Sequence, residues 1–132
     1  PLKNDLLSYA KKQKVNDKII FLGFVENIKS FMESIDIFIL TSLWEGFGYV
    51  LVEAMASRKP VVAFNLSSNP EIVVDNETGY LTKFKDIEGF VEKLKYLIRN
   101  KKLLVIYGIR IYVNYAGSVL RDLRLYKLVL RL

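Results

Sequence analysis

The sequence predicts an α/β fold in which a parallel sheet is covered by helices on both faces. Short apolar runs alternate with helical patterns through residues 1–100, and the connections between them are short. This order is typical of a doubly wound sheet. The run Ile35–Leu40 is nearly all apolar on both of its faces, as expected of a strand that is buried from both sides.

Each element is predicted from its own pattern. Residues 2–13 indicate a polar, Lys-rich helix, and Asn27–Ser34 indicate a helix with three apolar residues turned inward. Residues Ile87–Asn100 form an amphipathic pattern in which Phe90, Leu94 and Leu97 lie on one side. The predicted strands are Ile19–Leu22, Ile35–Leu40, Val61–Phe64 and Tyr80–Thr82, and the remaining predicted helices are Gly48–Ser57 and one that starts at Pro70.

Three loops follow predicted strands, namely Gly23–Glu26, Thr41–Gly48 and Asn65–Glu71. Because the carboxyl ends of parallel strands meet at one edge of a sheet, we expect all three loops to open at that edge. Ligands of open α/β sheets bind there.

Composition excludes several kinds of site. The 132 residues include no cysteine and no histidine, which removes a disulfide framework, thiolate or imidazole metal ligands and a His-based triad. No Asp-x-Asp pair is present, so we expect neither a metal nor another cofactor. The chain starts with Pro1 rather than Met, and we expect it to be a single domain from a longer protein.

The net charge of +6 is concentrated near the carboxyl terminus. Residues 101–132 hold 7 of the 20 basic residues and only one acid, Asp122, so we divide the chain into a body, 1–100, and a basic apolar helical segment, 101–132. This segment either lies on an anionic membrane or packs on the body or on a further domain. No nucleic-acid recognition motif accompanies the charge, so nucleic acid is not an expected partner. The chain contains no run of about 18 uncharged apolar residues, so no membrane span is predicted.

The most informative stretch is residues 41–64, where a Gly-Phe-Gly turn at 46–48 leads into an Ala/Met/Leu-rich helix. The start of such a helix presents unpaired N–H groups and the positive end of the helix dipole, an arrangement that binds phosphate. We expect Gly46 and Gly48 to adopt positive φ. Glu53 would lie about 7 Å further along the helix, roughly one ribose away from a pyrophosphate at the helix end.

An ordinary structural role for this stretch is the alternative. Glu45 would then be an acid favoured by the helix dipole, and Glu53 a solvated helix residue beside a plain turn. Two details favour a ligand instead. Glu53 stands among residues that look buried, and a carboxylate at Glu45 would repel a phosphate unless it accepts hydrogen bonds from another group, such as a sugar hydroxyl.

At these residues the sequence resembles a known enzyme family. The string from Ser42 to Ala63, with Glu45 and Glu53 separated by seven residues, is similar to the retaining glycosyltransferases of the GT-B fold, family 4. Phe21–Val25 resembles that family's nucleotide loop, and Asn69–Val73 followed by Thr78–Leu81 resembles its next loop and strand. The resemblance covers about residues 1–100 and implies a partial Rossmann-like sheet, without its first strand, that forms most of the C-terminal, donor-binding half of a GT-B fold.

The resemblance implies a role for each motif residue. Glu45 would be the catalytic-site residue and would accept hydrogen bonds from hydroxyls of the donor sugar. Backbone N–H groups of Gly46, Phe47 and Gly48 would face the same sugar. Those of Tyr49 and Val50 would meet the pyrophosphate.

The nucleoside would be held by other segments. Glu53 would accept hydrogen bonds from both ribose hydroxyls, and the backbone of Gly23, Phe24 and Val25 would border the base. Glu71 would either contact the donor or serve as an acid near a helix start.

The sequence also departs from the family pattern. Arg58 stands where the family generally has Gly, and Ser67 and Ser68 stand where it has Gly-Gly. The family's pyrophosphate-binding Arg and Lys lie upstream of the segment that matches residue 1, as does its acceptor-binding N-terminal domain. This chain alone is therefore expected to be inactive.

The resulting hypothesis is the donor-binding domain of an enzyme that transfers a hexose from a nucleoside-diphosphate sugar to a glycan, lipid or other acceptor with retention. The expected location is cytoplasmic, with peripheral contact at the inner face of the membrane. The alternative hypothesis is a non-catalytic module of the same fold that docks to a partner or a membrane.

Overall fold

The structure, a computed structural model, describes residues 2–43 and 48–107. The helices are α1 (Leu2–Lys12), α2 (Ile28–Ser34), α3 (Tyr49–Ala56), α4 (Asn69–Ile72) and α5 (Ile87–Arg99), the strands are β1 (Phe38–Leu40), β2 (Val61–Phe64) and β3 (Gly79–Thr82), and Asn16–Lys18 form a 3-10 turn. Residues 101–107 are also helical.

The strands of the described residues form one parallel sheet in the order β1-β2-β3. At its centre Val62 pairs with Ile39 on one side and with Tyr80 on the other. The predicted parallel α/β architecture is therefore confirmed. β1 is shorter than its predicted strand and begins at Phe38 rather than at Ile35.

Alternate residues of β2 enter two separate cores, one on each face of the sheet. Val61 and Ala63 pack in the core beneath α2 and α3, whereas Val62 and Phe64 pack in the core beneath α5. All four β2 residues are buried. Helices on both faces thus explain why this run is apolar throughout.

The predicted strand Ile19–Leu22 is wrong. These residues have no regular secondary structure, and Ile20 is 83% exposed. An apolar run becomes a strand only where a neighbouring strand offers hydrogen bonds, and no strand of residues 2–43 and 48–107 pairs with this segment.

β1 forms an edge of the sheet within the described residues. Its side chain on the α5 face, that of Ile39, is only partly covered. Ile39 is in register with Val62, yet Ile39 is 49% exposed while Val62 is buried. The core beneath α5 holds residues of β2 and β3 but none of β1. The apolar run that predicted a strand buried on both faces is therefore only partly buried here.

α5 begins at an N-cap and is followed by a second helical stretch. The Asp86 side chain accepts a hydrogen bond from Gly89 N at 2.9 Å, as N-cap residues do. After the C-cap Asn100, residues 101–107 return to the core, where Leu103 and Leu104 pack beside Tyr107. The predicted boundary at residue 100 stays a prediction, since residues 108–132 of the predicted segment lie outside the described residues.

A buried pair of tyrosines joins this helical stretch to β3. The hydroxyl groups of Tyr80 and Tyr107 lie 2.9 Å apart, and their rings meet edge to face. Burial, followed by this hydrogen bond, raises the pKa of Tyr80 well above its ordinary value. The Tyr80 hydroxyl is therefore a structural group that stays protonated at neutral pH.

The C-terminus of α3 closes in a left-handed residue. Arg58 has φ +57°, Lys59 N donates to Ala54 O at 2.9 Å, and Arg58 N donates to Met55 O at 2.9 Å. This pair of hydrogen bonds is the Schellman motif, in which glycine is preferred at the left-handed position.

Candidate functional site

The amino end of α3 lies at the carboxyl edge of the sheet, directly after β1. Gly48 is its N-cap and offers no side chain to cap the helix. Gly48 O accepts from Leu51 N at 2.8 Å and from Val52 N at 3.3 Å. The first N–H groups of a helix have no intrahelical acceptor, so the start of α3 is a place where a ligand can accept a hydrogen bond.

The reason for glycine at position 48 differs from the expected one. Gly48 has φ −71°, so the prediction of a positive φ is wrong at this position. A Cβ atom there would lie 3.0 Å from Leu51 Cδ1 and 3.3 Å from Ile72 Cδ1. Close packing between the start of α3 and α4 therefore favours glycine, and the same contact brings the loops after β1 and β2 together.

Glu53 is exposed on α3, one turn beyond the helix start. Its neighbours Leu51, Ala54 and Met55 are buried against the sheet, as the sequence indicated. Tyr49, four residues earlier and so on the same face, is 70% exposed. Glu53 and Tyr49 are therefore exposed on the same side of α3.

The first glutamate of the motif lies outside the described residues. Glu45, Gly46 and Phe47 belong to the gap at 44–47. The structure describes the flanking residues, with Leu43 exposed and Gly48 buried.

The loop after β2 is held by a residue that the sequence analysis assigned no role. Asn69 is buried, and its Nδ2 donates to Phe64 O at 2.9 Å, at the last residue of β2. This bond folds residues 65–68 back over the carboxyl end of the strand. The signal in the sequence was an Asn directly before Pro70, since a short polar side chain near a helix start bonds nearby backbone groups.

Two further residues of this loop bear on the predicted site. Ser67, at one of the positions where the resembled family has glycine, has φ +55°. Glu71 is exposed in the first turn of α4, and its N–H donates to Ser68 O at 3.0 Å. The position of Glu71 fits the alternative role of an acid near a helix start.

Buried polar oxygens collect near the same edge of the sheet. The Ser68 hydroxyl, Asn69 Oδ1 and the Thr82 hydroxyl are buried and have no hydrogen-bond partner among the described residues. Ser68 and Asn69 follow β2, and Thr82 is the last residue of β3. Polar groups are thus concentrated at the edge where ligands of α/β sheets bind.

The third predicted loop is not drawn into this group by the described contacts. Gly23 has φ +69° and Phe24 is 91% exposed. No hydrogen bond from another described residue reaches Gly23, Phe24 or Val25. Because the strand expected before this loop is absent, the predicted convergence is seen for the loops after β1 and β2 only.

Two features were not found among the described residues. Residues 2–43 and 48–107 contain no group of three carboxylates placed to hold a metal ion. Across the same ranges, no helix combines the length and apolar character that crossing a membrane requires.

Comparison with known proteins identifies the family. The sequence profile described as "Glycosyl transferases group 1" matches residues 1–112. The chain is 31% identical over 98 residues to N-acetyl-alpha-D-glucosaminyl L-malate synthase of Bacillus anthracis. The aligned segment covers 74% of this chain and 26% of that protein. The chain thus spans about a quarter of the length of the curated relatives it matches.

Solved structures agree in fold. The C-terminal domain of a glycosyl transferase group 1 family protein (LpcC) from Francisella tularensis superimposes with a TM-score of 0.79 at 34% identity, covering 88% of this chain and 61% of that one. Anabaena HepE in complex with UDP-glucose superimposes with a TM-score of 0.81 at 25% identity, covering 86% of this chain and 32% of that one. Together with the parallel sheet and the loops at its carboxyl edge, these matches establish that the chain belongs to the glycosyl transferases group 1 family and represents the C-terminal part of a GT-B fold.

Proposed function

We propose that this chain binds the nucleoside-diphosphate sugar from which a longer glycosyltransferase moves a hexose, with retention, to a glycan, lipid or other acceptor. The observation that carries the proposal is the amino end of α3, which begins after Gly48 and lies one turn from the exposed side chain of Glu53. The binding of UDP-glucose by the related Anabaena protein supports the same ligand class for this chain.

The proposed contacts divide the donor into three parts. The N–H groups of Tyr49 and Val50 face the diphosphate, where the helix dipole favours negative charge. Glu53 accepts hydrogen bonds from the ribose hydroxyls. Glu45, with the backbone of Gly46, Phe47 and Gly48, holds the transferred sugar.

Two segments complete the proposed donor site. The backbone of Gly23, Phe24 and Val25 borders the base, and the exposed position of Phe24 leaves that loop accessible to it. Glu71 lies exposed in the first turn of α4, and we propose it as a further contact of the donor.

The chemistry asked of these residues is stabilisation of a departing phosphate. A diphosphate leaving group gains negative charge in the transition state, and preorganised N–H groups at a helix start stabilise that charge. No metal and no further cofactor is part of the proposal, and the nucleotide sugar is the substrate.

The proposed partner domain follows from the length of the relatives. The matched relatives are about four times longer than the matched segment. We place the acceptor-binding half of the GT-B fold in that remainder. The proposed location is cytoplasmic, with peripheral contact at an anionic membrane surface.

Nucleotide titration followed by nuclear magnetic resonance tests the donor site. We expect UDP, or GDP or ADP if the base preference differs, to shift amide signals of residues 48–53. Glu53→Ala should weaken the binding about tenfold or more, because a charge-assisted hydrogen bond is removed.

The matched control is Glu33→Ala, which removes an exposed glutamate from α2. It should leave the nucleotide affinity unchanged. The absence of any shift at millimolar nucleotide would favour the alternative, a non-catalytic module of this fold. Equal losses in the Glu53 and Glu33 variants would contradict the role given to Glu53.

A further inference from the structure

The C-terminal half of α5 and the helical stretch after it carry charge of one sign. Residues 93–107 contain five basic residues and no Asp or Glu. Four of them, Lys95, Arg99, Lys101 and Lys102, are exposed, and none forms an ion pair with a carboxylate among the described residues. The fifth, Lys93, lies with its Nζ 4.7 Å from the centre of the Tyr80 ring.

Apolar side chains are exposed among these cations. Ile98 is 61% exposed and Val105 63% exposed, and Tyr96 and Ile106 are also exposed. The core is supplied by other residues of the same segment, since Leu97 and Tyr107 are buried. We call the exposed set the basic–apolar face; it consists of Lys95, Tyr96, Ile98, Arg99, Lys101, Lys102, Val105 and Ile106.

The surface around this face is shallow and concave in two places. One hollow of about 660 Å³ is lined by Lys95, Tyr96 and Arg99 together with Glu92, the acidic residue of the group. A second hollow of about 520 Å³ shares Tyr96 and Arg99 and extends to Lys102. The two hollows therefore adjoin at Tyr96 and Arg99.

The basic–apolar face lies at the end of α5 that is away from the proposed donor site. Near the start of α5, the Phe90 ring lies 5.2 Å from the ring of Phe64 at the end of β2. Further along, the Tyr96 ring lies 6.2 Å from the ring of Tyr80 at the beginning of β3. α5 thus runs antiparallel to the strands. Its basic end is near the edge of the sheet that is opposite the loops after β1 and β2.

We propose that the basic–apolar face docks this domain onto an anionic lipid bilayer. The cations are attracted to the negative surface of the leaflet. The apolar side chains and the tyrosine enter the region between headgroups and acyl chains, and the long Lys and Arg stems lie along it. In this orientation the opposite edge of the sheet, which carries the loops after β1 and β2, faces away from the bilayer.

Charge and exposed apolar area together favour this occupant over two others. A second copy of the chain would bring like charges together, which is unfavourable. A nucleic acid would neutralise the cations but would gain little from Ile98, Val105 and Ile106, since its backbone contacts are electrostatic. The inference specifies the residues that make the membrane contact proposed above, and it does not depend on the proposed transfer reaction.

Co-sedimentation of the full chain with lipid vesicles tests the inference. We expect binding to phosphatidylcholine vesicles that contain phosphatidylglycerol, weaker binding at high salt, and little binding to phosphatidylcholine alone. The variant K95Q/R99Q/K101Q/K102Q should bind about tenfold less or weaker still, because each cation near the surface contributes separately. Replacing Ile98 and Val105 by Ser should weaken binding with the charge unchanged.

The matched control removes the same number of charges elsewhere. K3Q/K11Q/K12Q/K14Q neutralises exposed lysines of α1 and the turn after it and should retain vesicle binding. Equal loss in the two quadruple variants would overturn the inference, as would full binding to phosphatidylcholine alone. Binding to a DNA duplex as tight as to vesicles, with no effect of the Ile98 and Val105 changes, would also overturn it.

The two proposals fail separately. The K95Q/R99Q/K101Q/K102Q variant should keep its nucleotide-induced resonance shifts, and Glu53→Ala should keep its vesicle binding. Retained nucleotide-induced shifts would also show that the quadruple variant is folded.

Discussion

Arg58 and Ser67 show how single residues carry the departures from the family pattern. Both occupy left-handed backbone, with φ +57° and +55°. The resembled family generally has glycine at each of these positions. A residue with a Cβ in this conformation costs about 1–2 kcal/mol relative to its preferred region, so each departure is a local cost to stability.

Substitutions at Arg58 measure this cost. We expect Arg58→Gly to have a free energy of unfolding about 1 kcal/mol higher than Arg58→Ala, because both remove the side chain but only glycine adopts positive φ without strain. Urea denaturation of the two variants gives the difference directly.

The same pair of substitutions at Glu92 is the control. Glu92 is exposed within α5, where alanine is the better helix former. There the order should reverse, with the alanine variant more stable. An alanine variant at position 58 as stable as the glycine variant would refute the strain argument.

At the scale of elements, the pairing of β2 with β3 depends on a close approach at Gly79. A Cβ atom at this position would lie 2.5 Å from Val61 O and 3.1 Å from Val73 Cγ1. The nearest atom belongs to the backbone of the central strand, so it cannot move aside as a flexible side chain could. Gly79 is thus the residue that lets β3 lie in register beside β2.

Alanine at this position should separate the two strands. We expect Gly79→Ala to lower the free energy of unfolding by about 2–3 kcal/mol, as overpacking in a core does. Thermal and urea unfolding followed by circular dichroism measure the loss.

Gly48→Ala provides the contrast, because its Cβ would meet the flexible ends of Leu51 and Ile72 and its φ is ordinary. This variant should lose about 1 kcal/mol or less. A loss as large as that of Gly79→Ala would show that backbone contact is not the cause.

At the scale of the whole molecule, two opposite edges of the sheet carry two different surfaces. The carboxyl edge holds the start of α3, the loop fixed by Asn69 and the exposed Glu53. The basic–apolar face lies near the amino edge. This separation would allow the domain to bind a membrane without covering its donor loops.

Activity should require more of the protein than this chain. We expect the chain alone to bind a nucleoside diphosphate but to transfer no hexose, since the acceptor-binding half is proposed to lie elsewhere in a longer protein. In that longer protein, Glu45→Ala should lower kcat/KM about 100-fold, a loss of the size found when one transition-state contact is removed. Nucleotide affinity should stay unchanged.

Transfer of labelled sugar and nucleotide titration on the same variants check both statements. Hexose transfer by this chain alone would contradict the first. A fall in nucleotide affinity in Glu45→Ala as large as that in Glu53→Ala would contradict the division of roles.

Much of the fold could be predicted because its signals are local. The apolar run of β2, the periodicity of α5 and the Gly-containing turn before α3 each report the environment of neighbouring residues. The residues around Glu53 that carry the family resemblance are close together in the chain, so the family could be predicted for the same reason.

The wrong strand prediction and the residue roles that were not predicted share a different cause. Ile19–Leu22 has the composition of a strand but no partner among the described residues, and strand formation depends on that partner. The glycine at position 48 is favoured by close contacts with Leu51 and with Ile72, and Ile72 is distant in sequence. The role of Asn69 likewise depends on a carbonyl at the end of β2.

The sequence by itself determined the α/β class, the family and the identity of the motif residues, because periodicity and spacing are properties of contiguous residues. Only the tertiary structure decided which apolar runs became strands, why the glycines at 48 and 79 are needed, and how the basic–apolar face lies relative to the donor loops. Those outcomes depend on atoms brought together from separate parts of the chain, and local sequence does not encode their distances.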